Sequence, residues 1–188
     1  VHINNNIALI YRNQNDFDAA IEKIKKNTII LLKKLNNKEK YSSSYMNLSN
    51  IYFLKKDYAK AKKYALKAQK IKYEIGNINM AESLNLNLSS INLKQGNLDL
   101  TEEYFAKCLN SKDENIKKGI FGNILILELI KYKKGNKNNK NKLKITAEKA
   151  LKKINELNDN SYKLQYYKSI AEAFEITGKS KEALELLN

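Results

Sequence analysis

Apolar residues recur three and four positions apart along nearly the whole chain, the spacing that lines one face of an α-helix. Ile3, Ile7, Ile10 and Tyr11 open a first helix pair, and Asn15-Asp16 makes its turn. Phe17, Ala20, Ile21 and Ile24 carry the pattern on toward Leu35, where Asn36-Asn37 ends it. A second pair is predicted from about Tyr41 to Leu54 and, past a turn at Lys55-Lys56-Asp57, through Tyr58, Ala61, Ala65, Ala68 and Ile71. Gly76-Asn77 is its stop, because glycine takes the left-handed conformation that ends helices. A third pair spans about Met80 to Leu93 and Leu98 to Leu109, around Gly96-Asn97. A fourth begins with Ile116 to Tyr132 and resumes from about Leu143 to Leu157. Between them Gly135 to Asn141 is too polar to pack and reads as a flexible inserted loop. A fifth runs from about Tyr162 to Ile176 and from Ser180 to the end, split by Thr177-Gly178-Lys179.

The pairs share a sentence. Asn6-Ile7-Ala8 then Tyr11, Asn47-Leu48-Ser49 then Tyr52, and Asn87-Leu88-Ser89 then Asn92 lie about forty residues apart (48−7 = 41, 88−48 = 40). Self-similarity at that period marks a repeat array, whose units cannot bury their apolar faces alone and must stack. The expected units are residues 1–37, 38–77, 78–112, 113–158 and 159–188, read as one repeat domain.

Composition narrows the class. The 188 residues include no proline, no tryptophan and six glycines, which suits an all-α chain and excludes a turn-rich β protein. Cys108 and His2 are each the only residue of their type, so neither a disulfide framework nor a thiolate or imidazole metal cluster can be assembled. No metal or cofactor is expected, and a reducing, cytoplasmic compartment fits best. The longest apolar stretch, Ile124 to Ile130, is broken by Glu128 and is too short to span a bilayer. The start at Val1 and the end inside an unfinished helical pattern read as a piece of a longer protein, with no signal peptide in what is shown. Net charge is +15, from 35 basic and 20 acidic residues. The excess is lysine scattered with asparagine, and Arg12 is the only arginine. That composition suits a solvated surface better than a reader of DNA bases, for which arginine is the usual tool.

Tyr45-Met46-Asn47-Leu48-Ser49-Asn50-Ile51-Tyr52, followed by Lys56-Asp57-Tyr58, Ala61, Tyr64 and Ala68, resembles a tetratricopeptide repeat. The resemblance implies a right-handed superhelical solenoid of about five antiparallel helix pairs. Small residues let paired helices approach and an aromatic fills the hole between neighbouring pairs. Ala8, Ser49, Ser89 and Ala171 would be the small contacts on first helices, Ala20, Ala61 and Ala183 those on second helices, and Tyr11, Tyr52 and Phe174 the fillers. The third unit departs with Asn92 in place of an aromatic and Thr101 in place of alanine. The fourth departs with Glu128 and Lys131, and Ala147 or Ala150 supplies its small residue beyond the loop. The family's proline after each second helix is missing, and the long units are similar to those of bacterial regulators.

The same register places Asn6, Asn47, Asn50 and Asn87 on the inner wall of first helices. An asparagine amide both donates and accepts, so a row of them can grip the main chain of an extended peptide. Peptide-binding relatives use similar asparagines, although a chain this rich in asparagine also matches the family pattern by composition. Met46, Phe53, Leu86, Leu93, Leu125, Leu129 and Tyr132 fall on the same wall, as seats for ligand side chains or as packing against the next repeat. The expected function is therefore a protein- or peptide-binding scaffold in regulation or assembly. Two other readings stand beside it: the sensor half of a peptide-responsive transcription regulator, and an electrostatic adaptor holding RNA or an anionic membrane through the lysine run of the fourth unit, Lys131 to Lys153. Cys108 falls where a small packing residue belongs. No phosphate-cradling glycine loop or nucleophile signature appears, so no enzyme activity is expected.

Overall fold

The computed structural model describes residues 14, 16–34, 37–135, 139–156 and 163–187, with the backbone alone for 27–34, 164 and 165. The first helix of the first unit, with Asn6, Ala8 and Tyr11, lies outside the described residues, as do 136–138 of the inserted segment. The described elements are helices: α1 (Phe17–Lys34), α2 (Lys38–Leu54), α3 (Tyr58–Glu74), α4 (Ile78–Gln95), α5 (Leu98–Leu109), α6 (Glu114–Lys133), α7 (Lys140–Asn155), α8 (Lys163–Thr177) and α9 (Ser180–Glu185). Among the described residues each predicted helix has its counterpart, with ends shifted by up to about three residues. At α7 the helix starts at Lys140, where the polar run predicted loop to Asn141. Lysine and asparagine there are carried by a helix whose other face buries Leu143 and Ala147.

Short side chains start these helices. Asp16, Asn37, Asp57 and Asn77 each accept from the backbone N–H three residues on, at 3.0–3.3 Å, capping α1 to α4. Asp113 caps α6 by accepting from Asn115 N–H at 2.8 Å. Between paired helices the chain reverses through a positive φ at Lys56, Gly96, Gly135 and Gly178. At three of these reversals a backbone N–H reaches back five residues, from Asp57 to Tyr52, Asn97 to Asn92 and Lys179 to Phe174. Lys56 alone of the four carries a side chain in that strained region, at φ 62°.

Residues 1–101 and 102–188 form two compact units. In the first, α1 packs on α2, α2 on α3 and α3 on α4. Ala20, Ala61, Ala65 and Ala68 are completely buried, Tyr52 is 5% exposed, and the Ser49 hydroxyl donates to the Ala61 carbonyl at 2.9 Å. Small contact and aromatic filler thus sit where the repeat pattern puts them. The hole expected at Asn92 is closed differently. Asn92 is fully buried, donates to the Leu88 carbonyl at 2.7 Å and accepts from Lys62 Nζ at 2.8 Å. Beside it Gln69 donates to Asn85 Oδ1 at 2.9 Å and to the Ala81 carbonyl at 3.0 Å.

In the second unit α6 packs on α7, α7 on α8 and α8 on α9, and α6 also touches α8. Leu125, Leu129, Leu143, Ala147, Ala150, Ile154, Ile170, Ala171 and Phe174 form one apolar cluster. Both alanines of α7 are fully buried, so Ala147 and Ala150 share the small-residue role. Glu128 is 6% exposed and accepts from Lys142 Nζ at 2.9 Å. Lys131 pairs with Glu102. The two departures of the fourth unit are therefore cross-helix ion pairs, with the buried carboxylate compensated by its cation.

Candidate functional site

A helix of this fold buries one side against its neighbours and leaves another partly open. On α2, Leu48, Ser49, Ile51 and Tyr52 are buried, and the opposite side carries Met46, Asn47, Asn50 and Phe53. Asn50 is exposed, while Met46, Asn47 and Phe53 are half-buried. The Phe53 ring meets Tyr58 edge to face, with centroids 5.5 Å apart. On α4 the corresponding side carries Leu86 and Asn87, both half-buried. All six of these residues are therefore partly open or exposed. Among the described residues no hydrogen bond engages the amides of Asn47, Asn50 or Asn87. Asn85 and Asn92 of the same helix are, by contrast, fully engaged in packing.

Other members of the predicted wall lie elsewhere. Leu93 is 5% exposed. Leu125 and Leu129 belong to the apolar cluster, against which Tyr132 packs. The reason is the approach of α6 to α8: a Cβ on Gly122 would sit 2.3 Å from the Tyr166 ring, so only glycine admits that ring. The Tyr166 hydroxyl lies 3.3 Å from Asn123 Oδ1. These leucines are core residues of the second unit rather than open seats.

A tyrosine ladder that no sequence motif marks lies on the other side of α2. Tyr41 and Tyr45 meet edge to face at 6.0 Å, Tyr45 and Tyr64 lie 5.8 Å apart, and Tyr52 and Tyr64 are parallel within 2° at 5.5 Å. Lys25 and Lys60 place their ammonium groups 5.9 and 5.4 Å from the Tyr52 ring centre. Lys67 does the same for Tyr45 and Tyr64, at 5.5 and 5.9 Å. Burial, and then the neighbouring rings Tyr41 and Tyr64, push the Tyr45 phenol above its ordinary value, so it stays protonated at neutral pH. The signal in sequence was Tyr41, Tyr45 and Tyr52 at intervals of four and seven, one stripe of a helix.

The lysine run of the fourth unit is partly neutralised. Lys131 pairs with Glu102, Lys133 with Glu172, Lys142 with Glu128 and Lys153 with Glu156. A cleft of about 460 Å³ lies between α7, α8 and α9, floored by Leu151, Phe174 and Leu186. Its rim holds Lys179, whose ammonium donates to Glu148 at 2.8 Å and holds that carboxyl below its usual range. Cys108 is fully buried. Among the described residues no group of three or more His, Cys, Asp or Glu could hold a metal ion, and no helix is long and apolar enough to cross a membrane.

Helical hairpins in series, with small residues at their crossings and an unpartnered polar face on the first helices, define a repeat scaffold of the protein-interaction class. The family model described as tetratricopeptide repeat matches residues 1–26, 42–75 and 82–115, half of the chain. The chain belongs to the tetratricopeptide-repeat family. Among solved structures it is similar to BtubC (BKLC) from P. vanneervenii, with a TM-score of 0.68 and 15% identity over 96% of this chain and 74% of that one. It also matches PilW, a widely conserved type IV pilus biogenesis factor, with a TM-score of 0.47 and 15% identity over 98% of this chain and 89% of that one. No curated protein matches the sequence significantly.

Proposed function

We propose that the chain holds an extended peptide segment of a protein partner against the face formed by Met46, Asn47, Asn50 and Phe53 of α2 and Leu86 and Asn87 of α4. Asn6 of the first unit extends the same row in sequence register. The carrying observation is that the amides of Asn47, Asn50 and Asn87 take no part in the hydrogen bonding of the described structure. Amides of this kind recognise a backbone, and the adjoining Met46, Phe53 and Leu86 supply apolar seats that select side chains. A regulatory or assembly role in a bacterial cytoplasm belongs to the same reading, in which the scaffold performs no chemistry of its own.

The test is selection of a binding peptide from a displayed random library, followed by titration against Asn47→Ala with Asn87→Ala. The expected result is a loss of affinity of at least about tenfold, one or two charge-free hydrogen bonds' worth, with an unchanged melting temperature. Full affinity in the double variant would refute the amide grip.

A further inference from the structure

Among the described residues eight lysines of the second unit pair with carboxylates, and the outer side of α3 carries unpaired lysines beside aromatic rings. Lys63, Lys67 and Lys70 follow one another at intervals of four and three, so they form one exposed stripe. No carboxylate pairs with any of them among the described residues, whereas Lys60 is neutralised by Asp57 at 2.7 Å and Lys72 by Glu39. The stripe borders the half-buried tyrosines Tyr41, Tyr45 and Tyr64.

We infer that this stripe and ladder form a binding site for single-stranded nucleic acid, on a different side of α2 from the peptide face and independent of it. The cations repeat every three to four residues, a rise of about 5 Å along a helix, comparable to the spacing of successive phosphates. The ammonium of Lys67 already lies over the rings of Tyr45 and Tyr64. It can turn outward to a phosphate and leave ring surface to a base, exchanging a cation–π contact for a base–aromatic stack. Both halves of this arrangement match a polyanion that also carries π-faces. An acidic peptide would use the lysines and leave the tyrosines idle. With no bidentate arginine at the stripe, the site reads backbone and stacking rather than base edges.

The test uses the full chain and a fluorescein-labelled oligothymidylate of twelve nucleotides, with polyglutamate as the charge-matched competitor. Binding is expected at low salt, with quenching of the intrinsic tyrosine emission, which is clean because the protein has no tryptophan. Lys63→Gln with Lys67→Gln and Lys70→Gln should weaken it at least about tenfold and reduce the logarithmic salt slope by about 2, three contacts at roughly 0.7 each. Lys144→Gln with Lys149→Gln and Lys152→Gln, an equal loss of charge on α7, should leave affinity and slope within about twofold. Tyr41→Leu should weaken the oligonucleotide and not polyglutamate. The proposal is overturned by absence of binding at low salt, by equal losses from the two lysine triples, or by polyglutamate competing as well as the oligonucleotide while Tyr41→Leu changes neither.

Discussion

The seam between α3 and α4 and the seam between α7 and α8 solve one packing problem with opposite chemistry. In the first unit the groove that a large aromatic would fill is closed by Asn92, held by its own helix and by Lys62, with Gln69 bridging to Asn85 and the Ala81 carbonyl alongside. In the second unit Phe174 occupies the equivalent place in the register, in one apolar cluster with Ala147, Ala150 and Ile154. An apolar plug contributes through buried area, about 1.5–3 kcal/mol for a large side chain, and tolerates small shifts. A polar plug contributes less net energy but demands that every donor and acceptor be met. The repeat therefore specifies a volume between neighbouring helices rather than a residue, and the polar solution makes its seam the more demanding in geometry.

The comparison can be broken at its apolar end first. Phe174→Ala should cost about 3–5 kcal/mol, as for other buried aromatic truncations, and would be read as a fall in the urea midpoint. A loss below 1 kcal/mol would mean that the ring does not hold α8 to its neighbours. At the shared small contact, Ala61→Leu is expected to overpack α2 against α3 and cost about 1–3 kcal/mol; an unchanged melting temperature would show that the helix crossing lies elsewhere. The polar plug yields a sharper experiment. Asn92→Leu removes the acceptor of the Lys62 ammonium and should cost about 1–3 kcal/mol, while adding Lys62→Met should recover most of it, because removing both partners leaves no group unpaired. If the double variant is no better than the single, the pair is not what closes the seam.

The smallest effect concerns the turns. Lys56 takes the left-handed conformation that glycine takes at the equivalent turns of the later units. Lys56→Gly should raise stability slightly, by up to about 1 kcal/mol, because the relief of left-handed strain exceeds the entropy that glycine adds to the unfolded chain. Gly178→Ala should lower stability by a similar or larger amount. Thermal melts of the two variants should move in opposite directions, and parallel shifts would show that backbone strain does not distinguish the turns.

Much of this was legible in the chain. Spacings of three and four residues locate helices, and asparagine, aspartate and glycine mark their ends, because capping and reversal are local events settled within four or five residues. Alanine and serine at forty-residue intervals likewise locate the crossings, since only small side chains admit a second backbone there. The burial of Leu125 and Leu129, the glycine required opposite Tyr166, the pairing of Glu128 with Lys142 and the closure around Asn92 came only from tertiary structure. Periodicity identifies the side of a helix that is apolar, but which neighbour covers a second side, and which lysine finds which acceptor, depends on helices brought together from distant positions. For the same reason the asparagines of α2 and α4 were alike in sequence, and tertiary contacts sorted Asn85 and Asn92 into the packing while leaving Asn47, Asn50 and Asn87 outside it.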